Sequence, residues 1–332
     1  MPKVTTIVVN WNGAHLLCQC LGALARQTFR DCEVILVDNG SSDGSVPLVQ
    51  REFPGVRILR NLRNRGFAAA NNQAIAATAS DYVALINNDA VAEEDWLERL
   101  VAAAEEQPAL GSCASKMVFA QSPATINSTG ISIDLAGIAW DRLGGLTDGP
   151  VSNVKREVFG PCAGAALYRR AMLDDIGLFD EDFFAYLEDV DLAWRARLRG
   201  WRCLYVPQAK VAHHQSATGG EGSSFKSFLL GRNKIWTTIK NYPAPEVIKY
   251  LPAVALYDCL SVQYSVLLRG DWSPLRGRLA GLAGLRRMLA KRRVVQARRT
   301  ASFSDFASLL EPLVRPDLVA RRYRHLRRLN QQ

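Results

Sequence analysis

The chain lacks most of what would mark a secreted or metal-stapled protein. Its seven cysteines (Cys18, Cys20, Cys32, Cys113, Cys162, Cys203, Cys259) are odd in number, form no CxxC pair and show no zinc-type spacing. That pattern argues against a disulfide framework or a zinc module and favours a reduced cytosol. A signal peptide's apolar segment is missing too, because Lys3 is followed by only six apolar or Thr residues before Asn10; export is not expected. There is no internal repeat, and 14 Pro and 24 Gly in 332 residues exclude a collagen, a Pro-rich linker protein and a wholly disordered chain. No Lys or Arg occurs between Asn10 and Arg26. A nucleotidyltransferase acting on sugar phosphates would be expected to carry a basic, Gly-rich phosphate loop there, and it does not.

What is present is a chain 48% hydrophobic and 22% charged, enough for one large domain or two modest ones. The net charge of +9 is lopsided: residues 269–332 carry sixteen Arg or Lys against Asp271, Asp305, Glu311 and Asp317, a net of +12, which leaves −3 for residues 1–268. An acidic body with a basic tail points to an anionic partner for the tail, a phospholipid surface or nucleic acid. Nucleic-acid binding would leave the acidic body and its polar loops without a role, so a membrane surface is the expected partner.

The first half alternates β-branched strands at 4–9, 33–37, 56–59 and 82–86 with helical stretches near 14–27, 45–52, 66–79 and 93–107. Such alternation predicts an α/β fold with a mostly parallel sheet covered on both faces. In open sheets of this kind ligands bind beyond the carboxyl ends of the strands. There the sequence is polar: Asn10-Trp11-Asn12-Gly13, Asp38 to Gly44, Asn64-Arg65-Gly66 and Asn87-Asn88-Asp89. Residues 119–157 read as a long loop with a short hairpin at most, followed by a strand at 162–168 and a helix at 170–176. A helix at 188–199, closed by Gly200, and a strand at 203–206 ended by Pro207 come next. The rest, from about 225, is helical. Its most apolar run, 251–268, carries Asp258 at its centre, at a cost of about 2.5 to 3.5 kcal/mol for insertion, so an interfacial or core helix is expected rather than a span.

Several residues have a chemistry to offer. Asp38 ends a buried strand, where a carboxylate accepts a pyrimidine N3–H or a ribose hydroxyl; a turn or helix-cap role would also account for Asp38 and Asp43. Asp89 is suited to a hard divalent cation that neutralises a departing diphosphate, although an Asx-turn would explain it as well. Glu188, Asp189 and Asp191 crowd the first turn of a helix, which favours negative charge there. One of them, Asp189 ahead of Asp191, is placed to take the proton from an attacking hydroxyl. His213 and His214 precede a polar, Gly-rich stretch from Gln215 to Ser224 and invite a metal-ligand reading beside Asp89.

Together these segments resemble glycosyltransferase family 2, and within it the bacterial rhamnosyltransferase-like branch. The likeness runs from residue 4 to about 242 through VVNWNG (8–13), VDNGSSDGS (37–45), NRGFAAANN (64–72) and INND (86–89). It continues in GAALYRR (164–170), IGLFDEDFFAYLEDVDLAWRARLRGW (176–201), VPQAKVAHH (206–214) and GRNKIWTTIKNYP (231–243). The resemblance implies a GT-A catalytic domain over 1–224, Rossmann-like, with a helical, basic C-terminal extension over 225–332. It implies an inverting transfer from a nucleoside diphosphate sugar, with dTDP-rhamnose the favoured donor, to a glycan or lipid-linked saccharide. Under that resemblance Asp189 is the base and Asp89 and His213 hold Mg²⁺ or Mn²⁺. Asn10, Asn12, Asp38, Asn64, Gly66, Asn87, Asn88 and Glu188 line the substrate. Asn87 stands where the wider family has an acidic residue, one carboxylate fewer for the cation. The expected setting is the inner face of the cytoplasmic membrane, with no nucleic acid involved.

Overall fold

The computed structural model describes residues 1–214, 223–315 and 317–318. Strands and helices are numbered in chain order. They begin with β1 (Val4–Asn10), α1 (Ala14–Ala25), β2 (Cys32–Asp38), α2 (Ser45–Glu52), β3 (Arg57–Arg60) and α3 (Gly66–Ala76). Then come β4 (Tyr82–Asn87), β5 (Ala90–Ala92), α4 (Trp96–Glu105), β6 (Leu110–Phe119), β7 (Ser122–Ser128), β8 (Ile131–Ile133), β9 (Ala139–Asp141) and β10 (Arg156–Glu157). The second half holds β11 (Ala165–Arg169), α5 (Arg170–Ile176), α6 (Glu188–Leu198), β12 (Arg202–His213), α7 (Ser224–Asn241), α8 (Ala244–Arg269), α9 (Ser273–Ala283) and α10 (Leu285–Ala297).

The main sheet runs β10-β12-β6-β11-β4-β1-β2-β3, with β11 antiparallel to both neighbours and β1 parallel to β2 and β4. Apolar side chains on both faces of β1, β2 and β4 pack into two separate cores. Leu17, Leu21, Trp96 and Leu97 close one side, and Ala68, Ile75, Leu173 and Phe179 the other. Each large side chain so buried contributes about 1.5 to 3 kcal/mol. The functional consequence lies in the register, which pairs Asn10 with Asp38, Val9 with Asn87 and Asp38 with Arg60. The strands therefore stop together, and their polar ends form one rim.

Two expectations fail in the middle of the chain. Residues 119–157 are not a loop: β7 lies antiparallel on β6, β8 and β9 form a hairpin, and β10 joins the sheet edge. β7 is rich in Ser, Thr and Asn and the other three are only two or three residues long, too short for a readable pattern, so they form because tertiary neighbours pair with them. The strand predicted to stop before Pro207 runs on to His213. A register shift between Val206 and Lys210 takes the proline out of the ladder, the usual way a strand tolerates one.

The C-terminal helices hold a further surprise. Part of the basic tail is turned onto the body: Lys291 pairs with Asp180 and Asp182, Arg287 with Asp182, and Arg298 with Asp175. Exposed Arg276, Arg286 and Arg293 make no ion pair among the described residues, and the arginines from 321 onward lie outside them. Helix α9 can lie against α7 because Gly277 has no side chain; a Cβ there would strike the Phe228 carbonyl. Trp236 of α7 then donates to the Gly281 carbonyl at 3.0 Å and packs with Met288 and Phe183. Helix α8 is not a core helix, since only Val254 and Ser265 of its 26 residues are buried. Asp258, the sole charge between Tyr250 and Leu268, faces inward to Lys234 (3.1 Å) and Arg278 (2.7 Å).

Candidate active site

The rim is stitched together before any ligand arrives. Fully buried Asn10 donates to Ser41 Oγ at 3.1 Å and accepts from Asn88 Nδ2 at 2.8 Å, joining three loops. Asn12 accepts from the Ser42 amide, and Asp43 accepts from the Ala14 amide, so Asp43 serves the loop and the start of α1. Buried Asn39 is the hub of the neighbouring loop. Its amide donates to Asn64 Oδ1 and to the Gly66 carbonyl, and its Oδ1 accepts from Asn61. Gly66 sits at φ +84°, with Phe184 so close that a Cβ would overlap its ring. Asp38 differs from these. It is 2% exposed, Oδ2 accepts from the Ser41 amide at 3.2 Å, and Oδ1 is buried without a hydrogen-bond partner. A buried lone acceptor costs about 1 to 3 kcal/mol unless something donates to it, and a base N–H or ribose hydroxyl has the chemistry to do so.

At the end of β4, Asp89 and His213 meet although 124 residues separate them: Nε2 of His213 lies 3.1 Å from Asp89 Oδ1. β12 brings the histidine there by pairing His213 with Ala90 of β5. Asn127 Oδ1 faces Nδ1 at 3.0 Å. An amide oxygen only accepts, so Nδ1 carries a proton, while Nε2 faces the carboxylate and Asn87 Nδ2 stands 3.3 Å from it. An imidazole nitrogen and a carboxylate oxygen brought together in this way suit a divalent cation, with Asn127 holding the ring from behind as outer partners of metal-bound histidines do. No third His, Cys, Asp or Glu completes the set among the described residues, so the remaining ligands would come from phosphate oxygens and water. Of the two histidines, it is His213 whose ring enters the site. The Gly-rich stretch after His214, residues 215–222, lies outside the described residues.

Across the rim, Asp189 opens α6 behind an unusual turn. Phe184, Tyr186 and Leu187 all have φ between +65° and +67°, each a strain of about 1 to 3 kcal/mol for a residue with a side chain. Fully buried Asn233 of α7 holds the turn by sharing its amide protons among the carbonyls of Phe183, Ala185 and Tyr186 at 3.0, 3.0 and 2.7 Å. Half-buried Asp189 accepts from the Ala163 amide through Oδ2 at 3.1 Å and from the Val190 amide through Oδ1. Desolvation in the cleft pushes its carboxyl up to about 6, with the charge of Asp141 adding to the rise and the Ala163 amide opposing it. Glu188, buried and with Oε2 unpartnered, is pushed further up by burial and by Asp189. Asp191 has a different fate. It is enclosed by Arg195, Lys240 and Asn241, and although burial alone would raise its carboxyl, Lys240 and Arg195 hold it below the usual range.

One segment joins the halves: the Asn87 amide donates to the Gly164 carbonyl at 2.9 Å, and two residues earlier Cys162 precedes the Ala163 amide that binds Asp189. Asp38, Asn64, Gly66, Asn87, Asn88, Asp89, Glu188, Asp189 and His213 thus gather on one rim, stitched by buried Asn10 beneath and exposed Asn12 at the surface. Asn39, Asn127, Asp141 and Asn233 belong to this region as well, and sequence reasoning missed all four. Asn39 sat inside a motif already singled out and was the easiest to find.

The pattern of glycosyl transferase family 2 matches residues 5–177, more than half of the chain. The chain belongs to glycosyltransferase family 2. Among relatives of this glycosyltransferase, the N-acetylglucosaminyl-diphospho-decaprenol L-rhamnosyltransferase of Mycobacterium tuberculosis is 29% identical over 261 residues, 69% of this chain and 85% of that protein. The pre-mycofactocin glycosyltransferase of the same species is 31% identical over 236 residues, 69% of this chain and 46% of that one. In structure the family 2 chain is similar to a mannosyltransferase of Pyrobaculum calidifontis, solved with GDP-Man and Mn²⁺ (TM-score 0.54, 18% identity, 90% of this chain and 86% of that one). It is also similar to residues 1–349 of Staphylococcus aureus TarS (TM-score 0.56, 16% identity, 99% and 90%). These likenesses show the GT-A fold expected for this transferase.

Proposed function

We propose that this glycosyltransferase moves a sugar, with rhamnose from dTDP-rhamnose the leading donor, onto a hydroxyl of a glycan or lipid-linked saccharide in cell-surface polysaccharide synthesis. The observation that supports the reading is that one segment, residues 162–164, bonds to Asp189 through the Ala163 amide and to the end of β4 through the Gly164 carbonyl, two residues before the Asp89 that meets His213. The named activity of the mycobacterial relative supports the donor and acceptor class. Asp38 receives the base or ribose, Asn64 and Gly66 shape its loop, Asn87 and Asn88 lie beside the diphosphate, and Glu188 borders the sugar. Asp89 and His213 would hold Mg²⁺ or Mn²⁺, which when bound offsets charge on the leaving diphosphate; an imidazole ligand suits manganese better. Asp189 takes the acceptor hydroxyl's proton as that oxygen bonds to the anomeric carbon and the nucleoside diphosphate leaves from the opposite side, which inverts the centre. Residues 1–224 supply the reacting groups, while the basic region 225–332, through helices α7 to α10, braces the base and rests on the cytoplasmic membrane's inner face. Release of nucleoside diphosphate from a panel of sugar nucleotides, with Mg²⁺, Mn²⁺ and EDTA arms, tests this. Release from dTDP-rhamnose that EDTA abolishes is expected, and no release from any donor would overturn it.

A further inference from the structure

We propose that the cavity between the β8–β9 hairpin, β10 and residues 308–311 holds the phosphate of a lipid-linked acceptor. The proposal rests on the transferase reading and adds the site that anchors its acceptor. The cavity encloses about 640 Å³, and its lining comes from parts of the chain other than the Asp38 and Asp89 loops. Backbone hydrogen bonds fix its walls. The Arg142 amide donates to the Gly130 carbonyl at 2.8 Å; opposite, the Glu311 amide donates to the Ile133 carbonyl at 2.9 Å and the Leu135 amide to the Glu311 carbonyl at 3.2 Å. Trp140, Leu143, Leu146, Val151 and Leu309 give it an apolar wall.

Two arginines interrupt that wall. Half-buried Arg142 donates to Thr129 Oγ1 at 2.8 Å and lies over the Tyr205 ring, 5.8 Å from its centre. Arg156 stands exposed on the edge strand β10. Neither has a carboxylate within ion-pair distance among the described residues. Of the two glutamates in the lining, Glu157 is taken by Arg197 and Arg202, and Glu311 Oε1 meets the Ser132 hydroxyl at 3.5 Å. Setting these four arginines against both glutamates still leaves the cavity positive. Burial and the charge of Arg156 push the Arg142 guanidinium below its ordinary value, so an anion there has a charge to neutralise. An apolar chamber with surplus guanidinium suits a molecule that is part apolar and part phosphate, which arginine binds with two parallel hydrogen bonds. The sugar nucleotide is not that molecule, since its diphosphate belongs at the Asp89 end of the rim.

Position supplies the purpose. Phe159 lines the cavity, and Ala163, four residues on, holds Asp189 through its amide; that much chain spans at most about 14 Å. A saccharide bonded to a phosphate in the cavity can therefore extend toward the base. On the other side, the segment carrying Leu309 and Glu311 runs on to Val314, whose carbonyl accepts from the hydroxyl of Tyr257 on α8. A lipid chain leaving the cavity on that side meets the apolar helix.

The test measures binding of farnesyl diphosphate, beside farnesol and inorganic diphosphate, which each keep one of its two features. EDTA is present so that no cation draws a diphosphate to Asp89. Wild type is compared with Arg142→Gln and Arg156→Ala, with thermal melts as a check on folding; the exposed Arg156 keeps the comparison open if Arg142→Gln unfolds. Farnesyl diphosphate is expected to bind at least tenfold more tightly than either single-feature probe, and each folded variant to weaken it tenfold or more. Inorganic diphosphate binding equally well, or variants that bind like wild type, would overturn the proposal. Sedimentation with phosphatidylglycerol vesicles separates an acceptor from a membrane headgroup: it should be unchanged in Arg156→Ala, and a loss matching that for farnesyl diphosphate would also overturn the acceptor site. Failure of wild type to release nucleoside diphosphate from any donor would instead remove the transferase reading, and the acceptor role with it, whatever the cavity binds.

Discussion

As the proposed base, Asp189 would be limited by its own ionisation. Its carboxyl is lifted to about 6, chiefly by desolvation, and only the ionised form accepts a proton. Transfer is therefore expected to fall about tenfold per pH unit below about pH 6; a pH–rate profile flat down to pH 5 would contradict this. Asp189→Asn should abolish transfer while calorimetry still detects dTDP binding, because no contact of Asp38 or Asn39 depends on that carboxylate. Asn233 acts one step back. Asn233→Ala leaves three carbonyls of a strained turn without their donor, a loss of about 1 to 3 kcal/mol. A lower melting temperature and a depressed kcat with donor KM little changed should be seen; equal kcat in the variant would show that the turn holds itself.

At the scale of elements, α7 to α10 are more than an appendage. Trp236 lies at 5.9 Å from Phe183, edge to face, and α9 and α10 cover its other side, so the turn that presents Asp189 is backed by the C-terminal helices. Removing residues 270–332 would strip this backing, and loss of membrane binding in such a truncation would be confounded by loss of folding. Surface substitutions on α8 avoid that. Leu267 and Leu268 are 77% and 73% exposed, and Asp258 is neutralised inward, leaving the outer face of α8 uncharged from Tyr250 to Leu268. This exposed, uncharged face is where the proposed membrane contact would lie. The double variant Leu267→Asp, Leu268→Asp is expected to lower binding to anionic vesicles at least tenfold without lowering the melting temperature, as sedimentation would show.

The whole molecule depends on carboxylates buried against cations, and this sets its acid stability. Burial alone would raise the carboxyl of Asp180, yet Lys240 and Lys291 override it and hold the group at about 2, from an ordinary value of 3.8. A depressed carboxyl stabilises the fold fully above its unfolded value and loses that contribution as pH falls toward the folded one. Unfolding free energy should therefore drop between about pH 4 and pH 2, and Lys291→Met should flatten that drop. An unchanged slope in the variant would place the acid transition elsewhere. The basic tail also reads differently at this scale, since several of its charges neutralise the acidic body.

Legible in the chain alone were the strands β1 to β4, their polar ends and the helix after Tyr186, because continuous apolar runs and local turn chemistry are written in neighbouring residues. The shared rim followed as well, since parallel strands of similar length end together. Asn127, Asp141 and Asn233 were not legible. Their roles come from pairings across 86 residues to His213 and 47 to 50 residues to the turn before α6, or from a hairpin whose strands are too short for a readable pattern. The inward turn of Asp258 and the use of the tail's arginines against the body were decided in the same way. Charge and hydropathy are properties of the sequence, but which charge finds which partner depends on distances that only the folded chain defines.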